Sequence, residues 1–236
     1  MLGTVSAPSS SPPPAPAGRK LRPSTLPDEV LRELRGALIR GELQPGDRIR
    51  ADLVAEELGV SVIPVREALR VLLAESRVEL EPHRGYRVTV LSPAQIGEIF
   101  LICNLLEGEA LRRGVPAMDE AADARMLVLL AELESAPSVA NATDETLWPL
   151  VVVHQDFHFV PMECAGLPRL VSELHRLWDH TDHYRSLYLF TDESAYLPMN
   201  AEHRAMCEAC LARDADEAVR LNHAHREHVL ARMGVA

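Results

Sequence analysis

Residues 58–69 read Leu-Gly-Val-Ser-Val-Ile-Pro-Val-Arg-Glu-Ala-Leu, and this stretch decides the fold of the first third of the chain. Its first four residues form the tight, glycine-containing turn that sets two helices at a steep angle. Ser61 can cap the helix that follows. Apolar residues recur along that helix with helical spacing, at Val65, Ala68, Leu69 and Leu72. The stretch therefore predicts a helix-turn-helix.

The flanking sequence completes a domain over residues 24–91. A capped, leucine-striped helix precedes Gly41, and a short helix covers about Ala51 to Leu58. After the helix-turn-helix, residues 78–81 and 86–90 alternate as two strands joined by Pro-His-Arg-Gly. Three helices and a hairpin in this order predict a winged helix-turn-helix.

The remaining sequence, residues 92–236, reads as helix throughout. The first helix begins at Ser92-Pro93, and further helices are predicted near 119–135, 144–164, 167–190, 199–212 and 214–233. Prolines mark the breaks between them, at Pro116, Pro137, Pro168 and Pro198. We therefore predict a mainly α protein, in which an all-α bundle of about six helices follows the winged domain. Residues 1–23 are rich in proline and serine and predict a disordered tail.

Composition narrows the class of protein. The chain has 236 residues, 47% apolar and 25% charged, so it can form a core. It contains no apolar run long enough to span a membrane and no basic segment followed by an apolar run at its start. Four cysteines without a disulfide pattern favour a reducing compartment. We expect a cytoplasmic protein without a membrane partner.

The net charge of −11 is unevenly distributed. Residues 19–91 hold 13 Lys/Arg and 12 Asp/Glu, whereas residues 92–236 hold 11 and 23. The acidity therefore belongs to the second domain, and it does not exclude DNA binding by the first.

The helix after the turn carries the candidate DNA contacts. Its outward residues include Val62, Ile63 and Arg66, and an arginine there can donate two hydrogen bonds to a guanine. Arg50 and Arg70 are better placed for phosphates, and Arg84 puts a cation on the hairpin tip. The predicted DNA-binding residues are Arg50, Ser61, Val62, Pro64, Arg66, Arg70, His83, Arg84 and Gly85.

Residues 58–69, together with Pro82-His-Arg-Gly-Tyr-Arg-Val88, resemble the signature of GntR-family bacterial transcription regulators. Leu43-Gln-Pro-Gly-Asp47 is similar to that family's link between its first two helices. The resemblance implies that Arg66 contacts DNA and that His83, Arg84 and Gly85 form the wing tip. One difference is Val62, where the family commonly has a basic residue. Valine can touch a thymine methyl group but cannot donate to guanine.

Nine of the ten histidines lie beyond residue 150. His154 and His158 lie four residues apart, so on a helix their imidazoles can converge on a metal, although such pairs are also common on surfaces and in cores. On the last helix, His225 shares a face with apolar residues and His223 does not. The order His-Gln-Asp-Phe-His departs from a zinc-protease motif, because Gln155 replaces the glutamate that would act as base.

The second domain resembles the FCD ligand-binding domain of the FadR-like branch of the same family. The matching residues are Phe157-His158, then residues 202–206 (Glu-His-Arg-Ala-Met), then Ala224-His225. The resemblance implies a divalent metal held by His154, His158, His203 and His225. His154 stands where the family has Asp or Asn, which favours Zn, Ni, Co or Cu over Mn. We expect Zn or Ni.

The same resemblance places an arginine that holds an acidic ligand near Cys103, and Arg185 with its neighbour Tyr184 is a possible substitute. Cys207 and Cys210 have redox spacing, but on a helix without a second pair they are better explained as small buried residues. We therefore predict a homodimeric, ligand-responsive transcription regulator, and not an enzyme. We expect a repressor that binds a double-stranded operator and a small carboxylate effector. A metal sensor and a helical metalloenzyme are the alternatives.

Overall fold

The computed structural model describes residues 25–82, 84–136, 144–189 and 193–234, without the side chains of 144–148, 182–183, 185–189 and 193–198. The predicted tail, residues 1–23, and the wing-tip residue His83 lie outside the described residues.

The first domain is a winged helix-turn-helix, as predicted. Its elements are α1 (Leu26–Ile39), β1 (Arg48–Ile49), α2 (Ala51–Glu57), α3 (Val62–Ala74), β2 (Val78–Glu81) and β3 (Gly85–Val88). The three strands form an antiparallel sheet in the order β1-β3-β2. The sequence did not predict β1, because two residues are too few to show alternation. Arg48 and Ile49 pair with Arg87 and Tyr86 of β3.

Local sequence explains where the helices of this domain begin. Thr25 and Asp28 form a capping box at the start of α1. Gly59 adopts a φ of +65° in the turn before α3, a conformation that favours glycine. Ser61 occupies the N-cap position of α3 without a side-chain hydrogen bond there. The predicted apolar face of α3 is buried, with Leu69 and Leu72 fully inaccessible.

The second domain is a helical bundle. Its elements in the described ranges are α4 (Pro93–Gly114), a 3-10 turn (Val115–Ala117), α5 (Glu120–Ser135), α6 (Asp144–Glu163), α7 (Pro168–Leu189), α8 (Glu193–Leu211) and α9 (Ala215–Arg232). The prediction that α8 begins at about residue 199 was wrong, because Pro198 lies inside the helix. A proline removes one helical hydrogen bond but does not always end a helix. None of the helices in these ranges has the length and apolarity needed to cross a membrane.

The winged domain and the bundle each have a hydrophobic cluster, but Ile39 of α1 packs in the cluster of the bundle. Polar contacts also join the two domains at α7. Tyr184 of α7 accepts a hydrogen bond from the backbone N–H of Leu91 at 2.6 Å, and its hydroxyl lies 3.1 Å from the carbonyl oxygen of Thr89. Asp179, also on α7, pairs with the buried Arg77. The bundle is therefore held against the segment that leaves the wing.

Candidate functional site

A groove of about 610 Å³ runs between α3 and the wing. Six of the predicted DNA-binding residues line it, namely Arg50, Val62, Arg66, Arg70, Arg84 and Gly85. The groove therefore brings together side chains from the start of α2, the exposed face of α3 and the hairpin tip.

The groove concentrates positive charge on an otherwise acidic chain. Arg66 and Arg70 are exposed and lie one turn apart on α3, and Arg84 is exposed on the wing. Arg50 forms an exposed ion pair with Asp52, which leaves it accessible to a competing phosphate. Clustered guanidinium groups of this kind attract the DNA backbone, and Arg66 is close enough to the start of α3 to reach base edges.

The other predicted DNA-binding residues differ in their positions. Ser61 is exposed at the start of α3, whereas Pro64 is buried beside Val65. Little of the Pro64 ring is therefore accessible to DNA, and its role as a contact stays a prediction. Ile63 is 70% exposed beside Val62, and the two give the tip of α3 an apolar surface. Gly85 has a φ of +86°, which favours glycine at the wing turn.

The second site is a cluster of four buried histidines inside the bundle. His154 and His158 come from α6, His203 from α8 and His225 from α9. Each offers one ring nitrogen, and the four nitrogens lie within 4.8 Å of one another. The structure thus brings together all four residues of the predicted ligand set.

One pair of nitrogens in the cluster already has the spacing of two ligands on one metal. Nε2 of His158 lies 3.3 Å from Nε2 of His203. Tetrahedral coordination with metal–nitrogen bonds of about 2.0–2.1 Å requires nitrogens about 3.3 Å apart. Four imidazoles without a carboxylate form a donor set that suits Zn, Ni or Cu.

Burial keeps His158 and His203 in the neutral form that binds metals. Desolvation holds the pKa of His158 well below its ordinary value, and the neighbouring His154 lowers it further. Burial likewise lowers the pKa of His203 well below its ordinary value, with a contribution from His225. Neutral imidazoles present lone pairs, so the folded protein does not need to lose protons there before a cation binds.

A carboxylate orients one of the candidate ligands from outside the cluster. Oε2 of Glu202 lies 2.7 Å from Nδ1 of His225, and its other oxygen is close to Nδ1 of His228. A hydrogen bond from Nδ1 fixes the tautomer of His225 and leaves its Nε2 lone pair available. Glu202 was noted in the sequence only as the residue before His203.

A buried polar network adjoins the histidines, and sequence reasoning missed it. The carboxylate of Glu107, which is fully buried on α4, accepts hydrogen bonds from Trp178, Asn222 and Arg226. The guanidinium of Arg226 also lies over the rings of Phe100 and Trp178. One signal was available, since Glu107 interrupts the apolar stripe of α4.

A small cavity separates this network from the histidines. Its volume is about 10 Å³, which is room for roughly one water molecule. It is lined by Phe100, His154, His158, Trp178, Asn222, His225, Arg226 and Val229. In the described conformation, the space beside the histidines therefore does not accommodate an organic acid.

The residues predicted to hold an effector are not gathered at this cavity. Cys103 is buried on α4, one turn before Glu107. The hydroxyl of Tyr184 contacts the interdomain segment, and the side chain of Arg185 lies outside the described residues. Their role in effector binding remains a prediction.

The paired cysteines of α8 have the character of buried residues. Burial raises the pKa of Cys207 to about 11 and that of Cys210 to about 12. Such thiols are unreactive at neutral pH, which agrees with the interpretation drawn from the sequence. Outside the cluster, the half-buried His175 stacks on the buried Phe159, with ring centroids 3.8 Å apart.

Comparison with known proteins identifies both domains. Residues 26–88 match the model of bacterial regulatory proteins of the gntR family, and residues 98–228 match that of the FCD domain. The chain belongs to the GntR family. The match to the FCD domain alone covers more than half of the chain. This GntR-family protein is therefore a DNA-binding transcription regulator and not an enzyme.

Individual relatives agree with this assignment. The HTH-type transcriptional repressor GlaR of Escherichia coli is 29% identical over 205 residues, which cover 84% of this chain and 90% of GlaR. An uncharacterised HTH-type regulator of Agrobacterium vitis is 30% identical over 56% of this chain and 77% of its own length. Among solved structures, E. coli McbR/YncC superposes with a TM-score of 0.73 at 23% identity, covering 89% of this chain and 98% of that one.

Proposed function

We propose that this regulator is a homodimeric repressor that binds a two-fold symmetric operator. Its affinity for the operator would depend on a metal held by the four histidines and on a small carboxylate effector. The observation that carries the proposal is the convergence of four buried imidazoles in a bundle attached to a DNA-binding domain. Two relatives, GlaR and the gluconate operon repressor of Bacillus subtilis, are named repressors, which supports the sign of regulation.

The groove between α3 and the wing is the proposed DNA interface. Arg66 would read a base edge, while Arg50, Arg70 and Arg84 would hold phosphates. One recognition helix covers only a half-site, so a symmetric operator needs a second copy of the chain.

The four histidines would hold the metal, and Zn or Ni suits their donor set. A metal bound there supplies a Lewis acid that can anchor a carboxylate. Glu202 would hold His225 in the ligating tautomer, and burial would keep His158 and His203 neutral. The small cavity means that an organic acid must displace side chains in order to bind. Such a displacement gives the effector a differential affinity for two conformations, which regulation requires.

The same cavity also favours a second candidate, in which the metal alone is the signal. A space for about one water next to four nitrogen donors suits a site that binds a cation and excludes larger ligands. This metal sensor differs from the first proposal in needing no organic ligand.

The DNA interface is tested with a duplex selected by the purified protein from a random-sequence library. Arg66→Ala should weaken binding to that duplex by about 1–3 kcal/mol and relax its base preference. Arg176→Ala is the matched control, because Arg176 is an exposed arginine on α7 outside the groove. Equal affinity of the Arg66 variant and the control would refute the assignment of α3 as the recognition helix.

The metal site is tested by elemental analysis of the purified protein after dialysis against Zn²⁺ or Ni²⁺. His158→Ala should lose the bound metal, whereas His175→Ala should keep it, because His175 stacks on Phe159 outside the cluster. Full occupancy in the His158 variant would refute the site. Measuring duplex affinity with metal, with a chelator and with added carboxylates then separates the effector-responsive repressor from the metal sensor.

A further inference from the structure

One face of α4 exposes apolar side chains that no described part of the chain covers. Leu101 is 59% exposed, Ile102 is 39% exposed and Leu105 is 68% exposed. The opposite face of the helix is buried in the bundle, including Phe100, and α4 contacts α6, α7 and α9. Three large apolar side chains grouped on one face of a helix are typical of an interaction surface.

The charges on this face are arranged symmetrically about Leu105. At 100° per residue, Glu98 and Arg112 lie within about 20° of Leu105 on the helix surface, and both are exposed. Glu98 precedes Leu105 by seven residues, and Arg112 follows it by seven. When two copies of α4 cross antiparallel about a two-fold axis at Leu105, Glu98 of each copy faces Arg112 of the other.

The spacing along the helix also suits such a pairing. The segment from Glu98 to Arg112 is about 21 Å long at about 1.5 Å per residue, so each end lies roughly 10 Å from the axis. Leu101 and Leu105 fall between the charged ends, and Glu109 is already paired with Arg113 within the helix. The face therefore has an apolar centre and a charged rim, as protein interfaces do.

We propose that this face of α4, comprising Glu98, Leu101, Ile102, Leu105 and Arg112, is the surface through which two copies of the chain dimerise. We assign a second copy of the chain as the partner of this surface because its charge pattern is self-complementary. In a two-fold symmetric dimer, the same patch on both subunits must be complementary to itself. The inference rests on the proposed homodimer and assigns the surface that joins it. Leu105 meets its own counterpart on the axis, and two Glu98–Arg112 ion pairs fix the antiparallel register.

A charge-swap series tests the pairing in the full-length protein. Glu98→Arg and Arg112→Glu each replace two attractive contacts per dimer with two repulsive ones, so each should raise the dimer dissociation constant by about tenfold or more. The double variant Glu98→Arg/Arg112→Glu restores opposite charges and should return the constant to near the wild-type value. Analytical ultracentrifugation over a concentration series measures all four proteins. Glu120→Arg, an exposed charge reversal on α5, is the control.

A second measurement locates the axis. Leu105→Cys should form a disulfide between two copies under mild oxidation, because a residue on a two-fold axis lies next to itself. Leu127→Cys, at an apolar position on α5 that is 49% exposed, should not form one, and the wild-type protein reports any linkage through native cysteines.

The possible results distinguish an error in the α4 surface from an error in the homodimer itself. A wild-type protein that is monomeric at all concentrations would remove the homodimer itself. A wild-type dimer that resists both single reversals and does not cross-link at position 105 would place the interface elsewhere and leave the homodimer intact. Rescue by the double swap, together with cross-linking at position 105, supports the α4 surface.

Discussion

Glu107→Gln should destabilise the bundle by several kcal/mol. The Glu107 carboxylate is fully buried and is the counter-ion of the buried Arg226, with further hydrogen bonds from Trp178 and Asn222. Removing one partner of a buried ion pair costs about 3–5 kcal/mol, because the other charge is left uncompensated. The amide also turns an NH₂ group towards donors. A domain of this kind has roughly 5–15 kcal/mol of stability, so the loss is a large fraction of the total.

The assay is urea unfolding followed by circular dichroism and tryptophan fluorescence, with chelator present so that metal binding adds nothing to either protein. Glu109→Gln is the matched control, because it makes the same change two residues away on α4 at a largely exposed pair with Arg113. This control should lose less than about 1 kcal/mol. The double variant Glu107→Gln/Arg226→Met removes both charges. Its loss of unfolding free energy should be clearly smaller than the sum of the losses in the two single variants. A Glu107→Gln protein within about 1 kcal/mol of wild type would refute the reasoning.

Three further predictions concern other contacts. Tyr184→Phe should destabilise the protein by about 1–3 kcal/mol in urea unfolding, because the N–H of Leu91 and the carbonyl of Thr89 lose their partner. An unchanged urea midpoint would contradict this. Gly114→Ala should lower the melting temperature sharply, since a Cβ there would lie 1.8 Å from the carbonyl oxygen of Pro161. An unshifted melting curve would show that α4 and α6 separate easily. Cys207 and Cys210 should resist iodoacetamide at pH 8 while folded, because their pKa values are raised to about 11 and about 12; rapid alkylation detected by mass spectrometry would contradict their burial.

The winged domain and the histidine pair of α6 could be predicted because their signals are local. The turn at Gly59 and the apolar spacing of α3 both lie within a dozen residues, and the structure has the predicted buried face. His154 and His158 are separated by one helical turn, so secondary structure alone brings them together. The addition of His203 and His225 depended on the family resemblance, since no local spacing links α8 and α9 to α6.

Features that depend on distant contacts could not be predicted in this way. Arg226 meets Glu107 across 119 residues of sequence, so the break that Glu107 makes in the apolar stripe of α4 does not reveal its partner. The strand β1 has only two residues and exists because β3 lies beside it. Pro64 is buried although it follows the exposed Ile63, since a helix rotates about 100° per residue and one position can move a side chain from the exposed to the buried face.

Helix α7 contacts both the histidine cluster of the bundle and the winged domain. Trp178 lies 5.2 Å from the ring of His158, and its neighbour Asp179 faces the DNA-binding domain through Arg77. Tyr184 follows less than two turns later and is bound to the chain that leaves the wing. Trp178, Asp179 and Tyr184 all belong to one continuous helix, so a shift of its backbone would move all three contacts together. We infer that a ligand which shifts α7 at the buried imidazoles would change both contacts of this helix with the winged domain.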